Sequence, residues 1–253
     1  MKEFEGYVVL ITGGGSGIGQ ETTRQFIEGG GEVVIADNRQ EAIDQTLKAI
    51  GKGVSGKKCD VTSSKDIVEL QKFVEEKHGK IDVLVNGAAT IKWGNVEVLS
   101  EEDWDITVNS LLKGPYMMMK YFIPLLKKSK NPSVVNISSL AAIHNWPNNP
   151  VYGAAKLALV KLTTQVTRDF YWLRCNAIQP GIIDTPMYNL FLNEQDKAAL
   201  FQKYADLTPA ARVGKPADIA NAILFLSSQK ASFINGATIL IDGGFTQNWL
   251  PGW

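Results

Sequence analysis

Cysteine is nearly absent. Cys59 and Cys175 lie far apart, and neither belongs to a Cys-x-x-Cys arrangement. A disulfide-stapled scaffold is thereby excluded, and buried reduced thiols in a reducing compartment are expected. Histidine is as scarce, and His78 and His144 have no metal-ligand spacing, so no metal is expected. No charge sign dominates: 26 Lys plus Arg stand against 26 Asp plus Glu. Nucleic acid and anionic membranes are therefore not expected as main partners. Lys127-Lys128-Ser129-Lys130 reads as the solvated end of a helix. No apolar run reaches the ~20 residues of a membrane helix. Met1 to Gly6 lead straight into an apolar strand, so no signal peptide is expected and a cytoplasmic protein is.

Alternation is what the chain does have. Apolar strand-like runs stand at Val8–Ile11, Val33–Ala36, Ile81–Val85, Val134–Ile137, Cys175–Ile178 and Thr238–Ile241, with a weaker one at Gly56–Cys59. Helical patterns fall between them at Gln20–Glu28, Ser64–His78, Lys113–Lys128, Tyr152–Thr167 and Asp218–Ser227. Ser100-Glu101-Glu102-Asp103 has the form of a capping box opening another helix. Such βαβ rhythm predicts an α/β fold, a Rossmann-type doubly wound parallel sheet of about seven strands with helices on both faces. No linker or repeat divides residues 1–253, so a single domain is expected. Residues 182–212 break the rhythm, following a strand end where such sheets place their ligand crevice. They read as an apolar lid over a substrate pocket, or as a helical hairpin covering core.

Two clusters carry chemistry. The run Thr12-Gly13-Gly14-Gly15-Ser16-Gly17-Ile18-Gly19 joins the first strand to the first helix. Glycines there permit positive φ and close backbone approach, and the helix start suits a pyrophosphate. Far downstream, Tyr152 and Lys156 are four residues apart on a helix and share a face. A phenol ordinarily titrates near pH ~10. A neighbouring ammonium lowers that value, which would let Tyr152 move a proton on and off a substrate oxygen. Ser139 stands thirteen positions before Tyr152, after the run Val134–Ile137. Read alone, it is equally a turn hydroxyl.

These motifs resemble the short-chain dehydrogenases/reductases across essentially the whole chain. Thr12 to Gly19 is similar to that family's cofactor loop, and Ser139, Tyr152 and Lys156 match its serine, tyrosine and lysine in order and spacing. Asn109 resembles its active-site asparagine, although by itself it reads as a buried polar residue. Pro180-Gly181 with Thr185 resembles the motif beside the nicotinamide, and Asn235-Gly236 and Asp242-Gly243-Gly244 the C-terminal signature. The resemblance implies a catalytic set of Asn109, Ser139, Tyr152 and Lys156. It implies a cofactor site of Gly13, Gly15, Ser16, Gly17, Ile18, Gly19, Asp37, Asp60, Val61, Asn86, Ala88, Tyr152, Lys156, Pro180, Gly181, Ile183 and Thr185. The chain departs at Asn86-Gly87-Ala88-Ala89, where the family reads Asn-Asn-Ala-Gly, and in a shortened Asp169–Arg174 passage into the sixth strand.

Asp37 ends the second strand, eighteen residues after Gly19. An acid there accepts ribose hydroxyls and repels a 2′-phosphate, so NAD is expected over NADP. Arg39 nearby pulls the other way. Asp60 equally starts a turn with Thr62. Trp93, Ala141, His144, Asn145, Trp146, Met187, Tyr188 and Phe191 are candidates to line the pocket of a small-molecule alcohol or ketone. Trp249 and Trp253 read as a pocket cover or a subunit contact. The helices at Lys113–Lys128 and Tyr152–Thr167 carry more apolar residues than one face needs. With the resemblance, this implies a homotetramer. The expected activity is hydride transfer between NAD(H) and a secondary alcohol or ketone. The rivals are an NADPH-dependent 3-oxoacyl reductase and an NAD-sensing protein without turnover.

Overall fold

The computed structural model describes residues 2–247, leaving aside the side chain of Leu190. Trp249 and Trp253, read from the sequence as a pocket cover or a subunit contact, fall outside the described residues. Seven strands form one parallel sheet in the order β3-β2-β1-β4-β5-β6-β7. They are β1 Val8–Thr12, β2 Glu32–Asp37, β3 Val54–Lys58, β4 Val83–Asn86, β5 Ser133–Ile137, β6 Arg174–Pro180 and β7 Thr238–Ile241. The helices are α1 Gly17–Glu28, α2 Gln40–Ile50, α3 Ser64–His78, α4 Glu101–Val108, α5 Gly114–Leu126, α6 Pro150–Asp169, α7 Glu194–Leu207 and α8 Pro216–Ser227.

Helices cover both faces because the central strands are apolar on both. Alternation along β1 sends Val8 and Leu10 to one core, with Leu70 of α3 and Phe122 of α5. It sends Val9 and Ile11 to the other, with Phe26 of α1 and Ile223 of α8. Strand order reverses between β1 and β4, and at that switch point the strand ends open a crevice.

Helix α2, which the sequence reading left out, buries only Ala42, Ile43 and Thr46. Strand β3 begins two residues before the expected Gly56, drawn into register by Val33 opposite Val54. Helix α6 starts at Pro150, where a fixed φ suits the first turn. The Ser100 capping box opens α4, with Ser100 accepting from the Asp103 N–H. The short passage before β6 is closed by Phe170 and Trp172, whose rings meet edge-on at 5.9 Å against the core. Arg174 then caps the end of α8, donating to the Leu226 carbonyl at 2.6 Å and the Ser228 carbonyl at 3.3 Å.

Candidate active site

The crevice begins at the glycine loop. Gly13 and Gly17 hold φ of +70° and +52°, a region costly for any other residue. A Cβ on Gly19 would lie 2.2 Å from the Gly13 carbonyl oxygen, and one on Gly15 2.8 Å from Asp37 Oδ2. The loop is thus a cradle that side chains would fill. Ser16, the N-cap of α1, makes no capping hydrogen bond, and the first turn holds no acid. Helix-start N–H groups therefore remain available to an anion. This donor set fits the pyrophosphate of a nicotinamide dinucleotide.

Asp37 closes the adenosine end of the crevice. It is buried, and its Oδ2 accepts from the Gly15 N–H at 3.2 Å. Its Oδ1 accepts from the Arg39 backbone N–H at 3.0 Å and from Arg39 Nε at 3.4 Å. Arg39 Nη2 also reaches Ser16 Oγ at 3.2 Å. Arginine and aspartate therefore occupy the same corner.

Beyond β4, Thr12 Oγ1 accepts the N–H groups of Gly87 and Ala88 at 3.0 and 3.2 Å. A Cβ at position 87 would lie 2.9 Å from the Thr12 carbonyl oxygen, which accounts for glycine there. Asn86 turns its side chain inward, donating to Asn136 Oδ1 at 2.8 Å, and Asn136 donates on to Thr163 Oγ1 at 2.9 Å. Asp60 closes a turn, its Oδ1 accepting from both the N–H and hydroxyl of Thr62 at 2.8 Å. Val61 packs in the core. At the end of β6, which Pro180 terminates, a Cβ on Gly181 would lie 2.8 Å from Asp242 Cα. Ile183 is buried and bridges to Gly214. Thr185 faces the glycine loop, within 3.3 Å of where a Gly17 Cβ would stand.

Ser139, Tyr152 and Lys156 meet at the end of β5. Ser139 is fixed by accepting the Ala141 N–H at 3.0 Å, and it hydrogen-bonds Tyr152. Lys156 is buried, with Nζ donating to the Ile137 carbonyl at 2.6 Å and lying 5.8 Å from the Tyr152 ring centroid. Ser138 anchors the same turn of α6 by donating to the Lys156 carbonyl at 2.8 Å. Asn109 opens a π-helical turn, Asn109–Lys113, whose carbonyl accepts the Gly114 N–H. That turn packs on α6, so the sequence-level asparagine sits where a helix has been widened by one residue.

Electrostatics correct one expectation. Lys156 was expected to lower the Tyr152 pKa, yet burial pushes the phenol up, and only the Ser139 hydrogen bond opposes it. Burial also pulls Lys156 down from 10.5 to about 7.

Aromatic rings wall the site in two groups. Trp93 lies 6.2 Å from the Tyr152 ring and 5.5 Å from Phe191, and Phe191 lies 5.7 Å from Tyr188. His144 and Trp146 meet at 4.8 Å and join Tyr204 and Phe245. Ala141, His144, Asn145 and Trp146 line a cleft of about 500 Å³. Neither Ser139 nor Tyr152 borders it, so this cleft adjoins the reacting groups without containing them. Met187 sits half-buried in the turn Pro186–Leu190. Sequence reading missed Phe201, 5.1 Å from Tyr188, and also Tyr204 and Phe245. Phe201 and Tyr204 stand three apart on α7, a spacing that could have marked one helix face. Among the described residues no helix is long and apolar enough to cross a membrane, and no acid, histidine and cysteine cluster could hold a metal.

Comparison with known proteins covers nearly the same span. The family model described as Enoyl-(Acyl carrier protein) reductase matches residues 13–246. A 3-oxoacyl-[acyl-carrier-protein] reductase of Thermotoga maritima is 36% identical over 95% of this chain and 98% of its own. The 7alpha-hydroxysteroid dehydrogenase of Bacteroides fragilis is 35% identical over 97% of this chain and 96% of its own. A solved short-chain dehydrogenase/reductase of Brucella melitensis, described as a glucose/ribitol dehydrogenase, superposes with a TM-score of 0.90 at 33% identity, covering 97% of this chain and 99% of that one. The glycine cradle, the Ser139–Tyr152–Lys156 cluster and these matches across the chain agree: it belongs to the short-chain dehydrogenase/reductase family of oxidoreductases, which act on CH–OH and keto groups of small molecules.

Proposed function

We propose that this chain is an NAD-dependent dehydrogenase of secondary alcohols and their ketones, with Tyr152 as the general acid and base. The observation that carries the reading is the hydrogen-bonded Ser139–Tyr152 pair beside buried Lys156. A bound nicotinamide supplies the hydride acceptor or donor. The chain supplies the rest. In the reductive direction the protonated Tyr152 phenol gives its proton to the substrate oxygen. Ser139 hydrogen-bonds the same oxygen as negative charge develops. In the oxidative direction Tyr152 must first lose its proton. Its raised pKa therefore makes oxidation climb with pH, while reduction starts from the form that burial favours. In its protonated form Lys156 steadies the phenolate, and Asn109 fixes a water that links Lys156 to solvent, so that the proton can leave.

NAD is preferred because Asp37 is buried against Gly15 and would oppose a 2′-phosphate. Ser16, Gly17, Ile18 and Gly19 cradle the pyrophosphate, and Pro180 to Thr185 border the nicotinamide end. The chain acts as one domain, with residues 182–212 covering the substrate. Exposed Tyr116 of α5 and Leu157 of α6 supply apolar surface for a homotetramer. Buried, unpaired Cys59 and Cys175 suit a cytoplasmic enzyme. A second reading, an NADPH-dependent 3-oxoacyl reductase, draws on Arg39 at the Asp37 corner and on the Thermotoga maritima relative.

A panel of alcohols, ketones and an acetoacetyl thioester, tested in both directions with NAD(H) and NADP(H), decides between them. The first reading expects higher kcat/KM with NAD(H) and a secondary alcohol or ketone. Preference for NADPH and the thioester would replace it with the second.

A further inference from the structure

We propose that the substrate is an uncharged ring carrying a second oxygen besides the reacting one, its face lying on Trp93 and Phe191 and its second oxygen held by Tyr188. This rests on the dehydrogenase reading above and narrows it to a substrate class.

Trp93 and Phe191 touch each other, and Trp93 lies beside the Tyr152 ring. Even so, they remain 43% and 42% exposed. Large apolar rings left open beside a reacting group offer a flat face to a ligand. Trp93 is firmly placed. The Lys92 N–H donates to buried Thr107 Oγ1 at 3.3 Å, and the Gly94 N–H to the Asn148 carbonyl at 3.1 Å. Phe191 is tied to the Tyr188 carbonyl at 3.2 Å. A planar or chair-like ring can cover both faces at once, whereas a flexible chain loses more rotational freedom in doing so.

Charge narrows the class. The lysines flanking this wall are both engaged: Lys197 with Asp184 at 2.9 Å, and Lys92 with Asp103 at 3.8 Å. Neither ammonium is left without a carboxylate for a substrate carboxylate or phosphate to claim.

Tyr188 supplies the polar requirement. Among the described residues no group hydrogen-bonds its hydroxyl. Burial, with Tyr152 and Asp184 nearby, keeps that phenol protonated and so able to donate. A phenol hydroxyl with no protein partner is free to donate to a ligand oxygen that displaces water from it. One phenol then serves the reacting oxygen and the other a neighbour on the same ring.

The test compares cyclohexane-1,2-diol, cyclohexanol, 2-octanol and an acetoacetyl thioester on wild type, Tyr188→Phe, Trp93→Ala and Trp93→Phe. The diol should give the highest kcat/KM. Tyr188→Phe should raise KM for the diol about tenfold, the worth of one hydrogen bond, and leave cyclohexanol unchanged. Trp93→Ala should weaken both rings, and Trp93→Phe should restore them. Equal losses for diol and cyclohexanol in Tyr188→Phe would overturn the proposal, as would preference for 2-octanol or the thioester. If no compound turns over with either cofactor, the dehydrogenase reading falls, and binding decides this one. Saturable quenching of tryptophan fluorescence by the diol, lost in Trp93→Ala and weakened in Tyr188→Phe, would support it; no saturable quenching would refute it.

Discussion

The two sides of the crevice are built on different principles. The nucleotide side is backbone: Gly13, Gly15, Gly17 and Gly19 leave no room for side chains, and α1 behind them buries Thr22, Thr23 and Phe26. The substrate side is side chain: rings from the loop after β4 and the segment at Tyr188 and Phe191 gather beside Tyr152, and rings from α7 and the turn after β7 form a second group with His144 and Trp146. Helix α7 buries no residue of its own. Its links to the rest include Lys197 to Asp184, Phe201 to Tyr188, and Tyr204 to Trp146 and Phe245. A site for a constant ligand is thus held by geometry that a methyl group would break. A site for a variable one is held by contacts that can be exchanged singly.

Several changes would sharpen or break this contrast. The largest effect is expected from Gly19→Ala, since its Cβ would collide with the Gly13 carbonyl oxygen at 2.2 Å. The backbone must shift, at a cost of about 1–3 kcal/mol, and NADH affinity in a fluorescence titration should fall at least tenfold. Unchanged affinity would mean the loop tolerates side chains and the contrast is false.

Asp37→Ala comes next. It removes the acceptor of Gly15 and frees Arg39. The kcat/KM ratio of NAD over NADP should drop about tenfold, the scale of one charged hydrogen bond. An unaltered ratio would place cofactor choice elsewhere.

Lys156→Met tests burial. The folded Lys156 pKa is about 7 against 10.5 when free. Between those values the unfolded chain binds a proton that the fold does not, so this group makes stability rise with pH through that window. The methionine variant should therefore gain on wild type at pH 6, and that gain should shrink toward pH 10. At roughly 2–4 °C per kcal/mol the change is visible in paired melting curves. A gap independent of pH would show that Lys156 is solvated.

The smallest effect on stability is expected from Lys197→Ala. The Lys197–Asp184 pair is half open to solvent on the aspartate side. Its loss should cost within about 1 kcal/mol, while KM for substrate rises and KM for cofactor stays put. A fall in cofactor affinity would show that the two sides are not separable.

The same contrast explains what was legible in the sequence. Strand β1, the glycine loop and Asp37 are contiguous or regularly spaced, so the nucleotide side could be read directly. Tyr152 and Lys156 were legible because a helix turns spacing into proximity. Their electrostatics were not, since the Lys156–Ile137 hydrogen bond and the burial of Lys156 are tertiary facts. Phe201, Tyr204 and Phe245 are distant from Tyr152 in sequence and carry no spacing that ties them to it. Gly87 looked like a departure, but packing against Thr12 explains it.

Tyr152→Phe tests the central claim most directly, with NADH binding and steady-state turnover measured on one preparation. The account predicts NADH affinity near wild type and kcat lowered by at least the ~10²-fold of a lost general acid and base. Turnover close to wild type with cofactor still bound would contradict it.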